Sequence, residues 1–546
     1  MRTSNSIAKI IIGSAILVTL IITPWLNVDS MIIPKIIILS LTAAYFLPNL
    51  AYISISNLNK MNWQLKLLQI TVILIILQML LVMFFTEAPI EQQFFGKTGR
   101  GLGFLTYFSL LVLLIMASRV FQLDNLKFIC HGLFFASFVT SIYSILQYYG
   151  FDIFNWTTRT NGIIGTIGNP NFQSSFSAIA LLTSLVYYSQ KVKRKIFFGA
   201  AHSVVMLYVI YLCKSWQGYI LVLVSLGILV LYFLWLKNSI LFWIFLSTSF
   251  TAGVLAVLGM TKVGPLSEIL YKYSIQSRGE MWRSSISALR DNPAFGIGLD
   301  SFGDYSLLYK NPVDVGGVNE FTDNSHNYYL EFATTGGLVL LVLNLVIITI
   351  TVYSFLKLLR RRNDVDFVVL SLFAAWVCYL GQSAISPASI PILIWNYVIS
   401  GAIIGIASGE NLRYLSNSQK TKSLNLNILS LRLIFLALTC ALLYPYFNVD
   451  RLHLLAARKG DALLAVQVAQ MYPESVLRYQ RIGRELLESN LYDQALEVGR
   501  AATEFNSNSF SAWALIYING STPGIEREKA LEELKRIDPL NPELNP

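Results

Sequence analysis

Apolar windows about 20 residues long, almost free of charge, recur from residue 7 to residue 447 of this chain. Each is long enough to cross a hydrocarbon layer of ~30 Å. Only 13% of the 546 residues are charged, whereas a soluble protein carries about a quarter. We therefore expect an all-α, polytopic membrane protein. Spans fall near 7–27, 34–53, 66–86, 101–118, 127–149, 172–189, 196–213, 218–236, 239–260, 328–356, 366–387, 391–408 and 430–447, giving about 12–13 transmembrane helices. The first window has no small-residue cleavage site after it, and "TPWL" has the character of an interfacial end, so it counts as a span.

Lysine and arginine set the orientation. With the N-terminus inside, inside loops hold Lys60, Arg119, Lys191, Lys193, Arg194, Lys195, Lys237, Lys357, Arg360, Arg361, Arg362, Arg413, Lys420 and Lys422. Short outside loops hold Lys97, Arg100, Arg159 and Lys214, the bias expected of cytoplasmic against exterior loops. Lys35, just within the second span, is expected to snorkel outward. The net charge of +10 is largely accounted for by this inside bias. No basic stripe with interleaved aromatics appears, so no nucleic-acid partner is expected. The four cysteines lie in or beside spans without metal-like spacing and are read as buried thiols.

Odd parity puts the long loop 261–327 and the tail 448–546 outside. The chain thus divides into a transmembrane domain, 1–447, and an extracytoplasmic tail. "YQRIGRELLESNLYDQALEVGRAATEFNSNS" resembles a tetratricopeptide unit through Gly483, Tyr492, Ala495 and Ala502. Stepping 34 residues either way meets related segments, so we expect two to three helical repeats. Such repeats offer a concave face to a protein partner; a plain helical cap is the alternative.

Four outside stretches are more polar than connectors need: "FFGKTGRGLG", "RTNGIIGTIGNPNFQSS", "KSWQGY", and the long loop leading to "DNSHNYYLE". Within the loop, "GEMWRSSISALRDNP" spaces Trp282, Ile286 and Leu289 as an apolar helical stripe suited to the outer leaflet. Asp291-Asn292-Pro293 ends that helix, and "FGIG" follows with residues able to take positive φ.

The order Arg278, Trp282, Asn292-Pro293, Gly296, Gly298, Ser301-Phe302, His326-Asn327, Tyr329-Leu330-Glu331, Gly336 is similar to the hallmark of the O-antigen ligase and O-antigen polymerase superfamily. "RTNGIIGTIGNPNF" and "FFGKTGRGLGFLTY" resemble its earlier outside segments. The resemblance implies a GT-C-like membrane glycosyltransferase. Its donor would be a glycan on undecaprenyl diphosphate, and its acceptor a hydroxyl of a lipid A-core sugar, a further repeat unit or a protein. It also implies catalytic roles for Arg278 and His326. Where the family often has a further arginine, this chain reads "SWQG", so Gln217 stands there and Arg159, Lys214 or Arg100 is left to supply the cation.

The chemistry fits those residue types. A lipid diphosphate is already a leaving group and needs cations near its developing charge. Arginine meets two phosphate oxygens at once and stays charged, so Arg278 is assigned to the diphosphate with Arg159 second. An acceptor hydroxyl needs a base that works near neutrality, and histidine is the default. Of the four histidines only His326 falls at an outside helix start. Asp323 either caps that helix or orients the imidazole. Glu331, five residues on, lies off the face of His326. Asn169 and Asn171 read as a helix-entry turn or as substrate contacts, with Asn327 and Glu331 added from the motif. The loop has no paired D-x-D, so transfer without a metal or other cofactor is expected.

Overall fold

The computed structural model describes residues 2–57, 61–154, 156, 162–189, 196–260, 264–270, 273–314, 322–361, 367–409 and 421–544. Among them, regular secondary structure is entirely helical. In lipid a backbone has no water to bond, so it closes its hydrogen bonds within each helix.

The first half of the bundle comprises α1 (Arg2–Leu20), α2 (Ile33–Asn57), α3 (Trp63–Phe85), the short α4 (Ile90–Phe95), α5 (Phe104–Val120) and α6 (Lys127–Tyr148). It continues with α7 (Pro170–Ser189), α8 (Ile196–Leu212), α9 (Trp216–Lys237) and α10 (Ser239–Met260). The long loop then forms α11 (Ser267–Leu270), α12 (Tyr273–Asp291) and α13 (Phe302–Tyr305). Three more long helices follow, α14 (Tyr328–Arg361), α15 (Phe367–Ser383) and α16 (Ile390–Ser408), and then α17 (Thr421–Lys459). The tail adds α18 (Ala462–Ala469), α19 (Val476–Glu488), α20 (Tyr492–Phe505), α21 (Phe510–Ile518) and α22 (Gly524–Ile537).

A helix stands at each of the thirteen expected windows. Eight are long and apolar enough to cross a membrane; α1, α5, α8 and α15 supply shorter apolar helices. The window at 172–189 qualifies on neither count, because α7 carries a buried polar face of Gln173, Ser174, Ser175, Ser177, Thr183 and Ser184.

The bundle buries polar side chains beside an apolar core and exposes large apolar ones. On α3, Gln64, Gln69, Thr71 and Gln78 are buried, whereas Ile73, Leu77, Leu81 and Phe84 are exposed. Water would reverse that choice; hydrocarbon permits it. The centre is α16, buried along nearly its whole length. It lies against α5 where Gly401 meets the Leu114 carbonyl: a Cβ there would stand 2.4 Å from that oxygen. Close backbone approach through small residues is how helices associate where lipid removes the hydrophobic drive.

One expectation is corrected here. Lys35 does not snorkel: it is fully buried, and its ammonium donates to the carbonyls of Ile21 (2.8 Å) and Thr166 (2.9 Å). An ammonium surrounded by acceptors at a helix start need not reach water, and it ties two loops together. On α12, Met281, Ser284, Ser285 and Ala288 face the protein, while Ile286 of the expected stripe is exposed. Small residues let α12 lie close on α14, where the Thr334 hydroxyl donates to the Ser285 carbonyl.

α14 is broken at Gly337, whose φ is +80°. The break frees backbone groups that the loop after α12 satisfies: Ile297 N–H donates to the Thr334 carbonyl (2.9 Å), and Leu338 N–H to that of Pro293 (2.9 Å). From α3, the Gln78 amide donates to the carbonyls of Ala294 and Gly336. A Cβ at Gly337 would lie 2.1 Å from the Ala294 oxygen. Gly337→Ala is therefore expected to cost about 3 kcal/mol or more, from positive φ plus a backbone clash, read as a lower melting temperature in detergent.

The boundary expected at 447 falls inside α17, one helix that continues into the tail and is first interrupted at Gly460 (φ +63°). The tail has its own apolar cores, around Tyr479, Ile482 and Val498 and around Trp513 and Leu534. α19 and α21 begin 34 residues apart.

Candidate functional site

The loop between α4 and α5, the connection from α12 to α14 and the start of α14 gather at one end of the bundle. At their centre lies Arg100. Its Nε is 3.3 Å from Asp300 and its Nη1 is 3.6 Å from Asp323. Burial disfavours its charge, but Asp323, Asp300 and Glu331 outweigh that and hold the guanidinium protonated more firmly than usual. Its Nε and Nη2 are buried and donate no hydrogen bond among the described residues.

Asp300 is buried and braces the loop that carries Arg100. It accepts from the backbone N–H of Lys97 (2.8 Å) and of Leu102 (3.0 Å). Burial pushes its carboxyl above the ordinary range, partly offset by Arg100 and those two donors. Lys97 extends its ammonium to Asp304, 3.3 Å away. Asp304 also accepts from Gln92 (2.7 Å).

His326 occupies left-handed backbone, φ +50°, a conformation that histidine adopts more readily than most side chains. Asn324 imposes it, its Oδ1 accepting from the His326 N–H at 2.8 Å. Burial, then the positive charges of Arg278 and Arg100, push the imidazole down to about 4, with Asp323 opposing. At neutral pH the ring is uncharged and can accept a proton. Arg278, on α12, and Arg100, from a loop far away in sequence, thus both act on one imidazole. For Arg278 itself, burial lowers its proton affinity.

The remaining expected residues divide into two groups. Asn327 caps α14, its Oδ1 accepting from the N–H groups of Tyr329 (3.0 Å) and Leu330 (3.1 Å). Asp323 is therefore not the cap; its carboxylate faces Arg100 and accepts from Asn324 (2.6 Å). The cap falls to Asn327 because it directly precedes the helix. Glu331, off the imidazole face, folds back to accept the Ser325 N–H at 2.6 Å; its Oε1 takes no hydrogen bond among the described residues.

The second group sits around α7 and α9. Asn169 caps α7 through the Asn171 N–H, and the Asn171 side chain accepts from Ser215 (2.7 Å). Gln217 is buried, donating to Ser386 (2.9 Å) and accepting from Ser175 (3.3 Å). Lys214 is exposed at φ +51°. Both groups meet the same end of α15: Tyr329 donates to the Leu380 carbonyl, and Ser386 follows α15 directly. Arg159 lies outside the described residues.

Sequence reasoning missed Asp300, Asp304, Gln92 and Lys97 as members of the site. A lone carboxylate among glycines carries no pattern; only the fold sets it against Arg100. Also missed was a cavity lower in the bundle, lined by Tyr328, Asn344, Tyr379, Asn396 and Tyr397. Its polar side chains are scattered over three helices. Among the described residues no cluster of three or more histidine, cysteine or carboxylate groups with metal-holding geometry occurs.

No curated protein matches the chain. A family model does: residues 193–345 match the family described as O-antigen ligase. The stretch from before α8 into α14, which carries Gln217, Arg278, His326 and Glu331 but neither Arg100 nor the tail, is thus similar to the O-antigen ligases.

Proposed function

We propose that this protein is a membrane glycosyltransferase that moves a glycan from a polyprenyl diphosphate, undecaprenyl diphosphate in bacteria, to an acceptor hydroxyl. The observation that carries the reading is the buried Arg100 guanidinium, brought from a distant loop to within 3.6 Å of Asp323, three residues before His326. His326 takes the acceptor's proton as its oxygen bonds to the anomeric carbon. The bond from that carbon to the phosphate oxygen breaks, and the electron pair leaves with the diphosphate. Arg278 meets that charge, and Arg100 offers Nη2, a buried donor with no hydrogen bond among the described residues, to an anionic oxygen. Its three carboxylates keep Arg100 charged but leave the local field less positive. Gln217, tied to Ser175 and Ser386, is a polar wall of the site in this reading, and the cation comes from Arg100 rather than from the "SWQG" segment.

The same reading puts the protein in the cytoplasmic membrane, with the site end and the tail on the outer side. Exposed Trp25, Phe151 and Trp216 suit a water–lipid boundary at that end. An O-antigen ligase acting on a lipid A-core acceptor is the first choice. The tail hairpins, spaced like tetratricopeptide repeats, equally suit a polymerase or a protein oligosaccharyltransferase by offering a face to a partner.

Reconstituted protein given a lipid-diphosphate glycan and candidate acceptors tests the proposal; absence of transfer to every acceptor class overturns it. Within that assay Arg278→Lys is expected to lower turnover by about 10- to 100-fold, the worth of a charge-assisted bidentate contact of ~1.5–3 kcal/mol. Its melting temperature should hold, because lysine keeps a positive charge on a stem of similar reach. Full activity with lysine would remove bidentate recognition.

A further inference from the structure

The turn between α20 and α21 reaches back to the candidate site. Asn506, itself buried, donates from Nδ2 to Asp304 Oδ2 at 3.1 Å, beside the Gln92 amide and opposite Lys97. Asn508 donates to the Tyr305 hydroxyl (3.1 Å). The turn is not loose: Asn506 Oδ1 accepts the Asn508 N–H, and Arg536 from α22 bonds the Asn508 side chain and the Ser507 carbonyl. On the other side of the same loop, the hydroxyls of Thr98 and Ser475 are 2.6 Å apart. The tail therefore meets the segment 97–102 directly at Thr98 and, through Asp304 of α13, at Lys97. Within that segment Lys97 links both networks, its ammonium on Asp304 and its N–H on Asp300, the carboxylate that faces Arg100.

We propose that the C-terminal tail is a positioning element of the transfer site, and that Asn506, acting through Asp304 and Lys97, holds Arg100 in register with His326. This rests on the reading that Arg100 serves the transfer reaction. The tail is more than a docking module: displacing it loosens a cation of the site, so whatever draws the tail away slows transfer.

Asn506→Asp tests this in the full-length protein. It keeps the acceptor for the Asn508 N–H, so the turn survives, but sets a carboxylate against Asp304 in place of a donor. Turnover is expected to fall about tenfold, the worth of one hydrogen bond to a charged group. The acid limb of the pH profile should move up toward neutrality, because a displaced Arg100 no longer depresses His326. Adding Asp304→Asn relieves the clash but removes the carboxylate that Lys97 pairs with, so rate and limb should stay displaced, whereas a defect confined to the Asn506–Asp304 contact would be rescued. Hydrogen exchange gives a readout independent of transfer: the Lys97 and Leu102 amides, both bonded to Asp300, should exchange faster in Asn506→Asp. If the parent protein transfers no glycan, the proposed function fails and exchange alone decides the tail's role. An unchanged exchange rate at those amides, an unchanged pH limb, or full recovery in the double variant overturns it.

Discussion

His326→Asn should lower glycan transfer by about 10²–10⁴-fold, the usual contribution of a positioned general base, while the protein stays folded in the membrane. Asparagine is the informative replacement because it tolerates the left-handed backbone at φ +50°, so the loss reports the imidazole and not the turn. The pH profile of the parent protein carries the same test. With the imidazole pushed down to about 4, the rate should stay level from pH 7 to about 5 and fall only as the ring gains its proton. Stability follows in the same sense. The unfolded chain takes up a proton at the ordinary 6.5 and the folded chain only near 4, so lowering the pH between those values favours unfolding. A variant that retains a tenth of parental turnover, or a parent whose rate halves near pH 6.5, removes His326 as the base.

Arg100→Ala should be the most destabilising single change in the site, by about 3–5 kcal/mol, because it leaves buried carboxylates without their cation. Asp300 is almost wholly buried, and Glu331 keeps one oxygen without a hydrogen bond among the described residues. The deficit should narrow as the pH falls, since a proton on Asp300 removes the unpaired charge and burial already raises its carboxyl. Pairing the change with Asp300→Asn should recover part of the loss, because the two sites are in contact and their effects do not add. Thermal unfolding in detergent measures both. A stable Arg100→Ala protein at pH 7 would mean that the carboxylates are not held by this guanidinium. Arg100 is enclosed by opposite charge.

These expectations draw unequally on sequence. Apolar length determined the helices, because a chain in hydrocarbon satisfies its backbone locally and each window decides for itself. The glycines of "NPAFGIG" were legible as a break, and His326 stood out as a histidine at an exterior helix start, whereas the break at Gly337 fell inside a window read as one span. What local pattern could not reach were choices made between segments. Asn327 rather than Asp323 caps α14, because the cap is taken by the side chain directly before the helix. Which face of α12 packs on α14, the one with Ser284, Ser285 and Ala288, was likewise set by packing.

The sequence by itself determined the membrane helices and their order, and offered an arginine-bearing helix and a later histidine as candidates. Tertiary structure alone decided that Arg100 joins them, that Lys35 lies buried between two carbonyl groups, and that the tail bonds Asp304. The physical reason is range. Helix formation is settled by neighbours a few residues apart, but a charged side chain is settled by whichever opposite charge or acceptor the packing brings to it, and packing has no signature in any one segment.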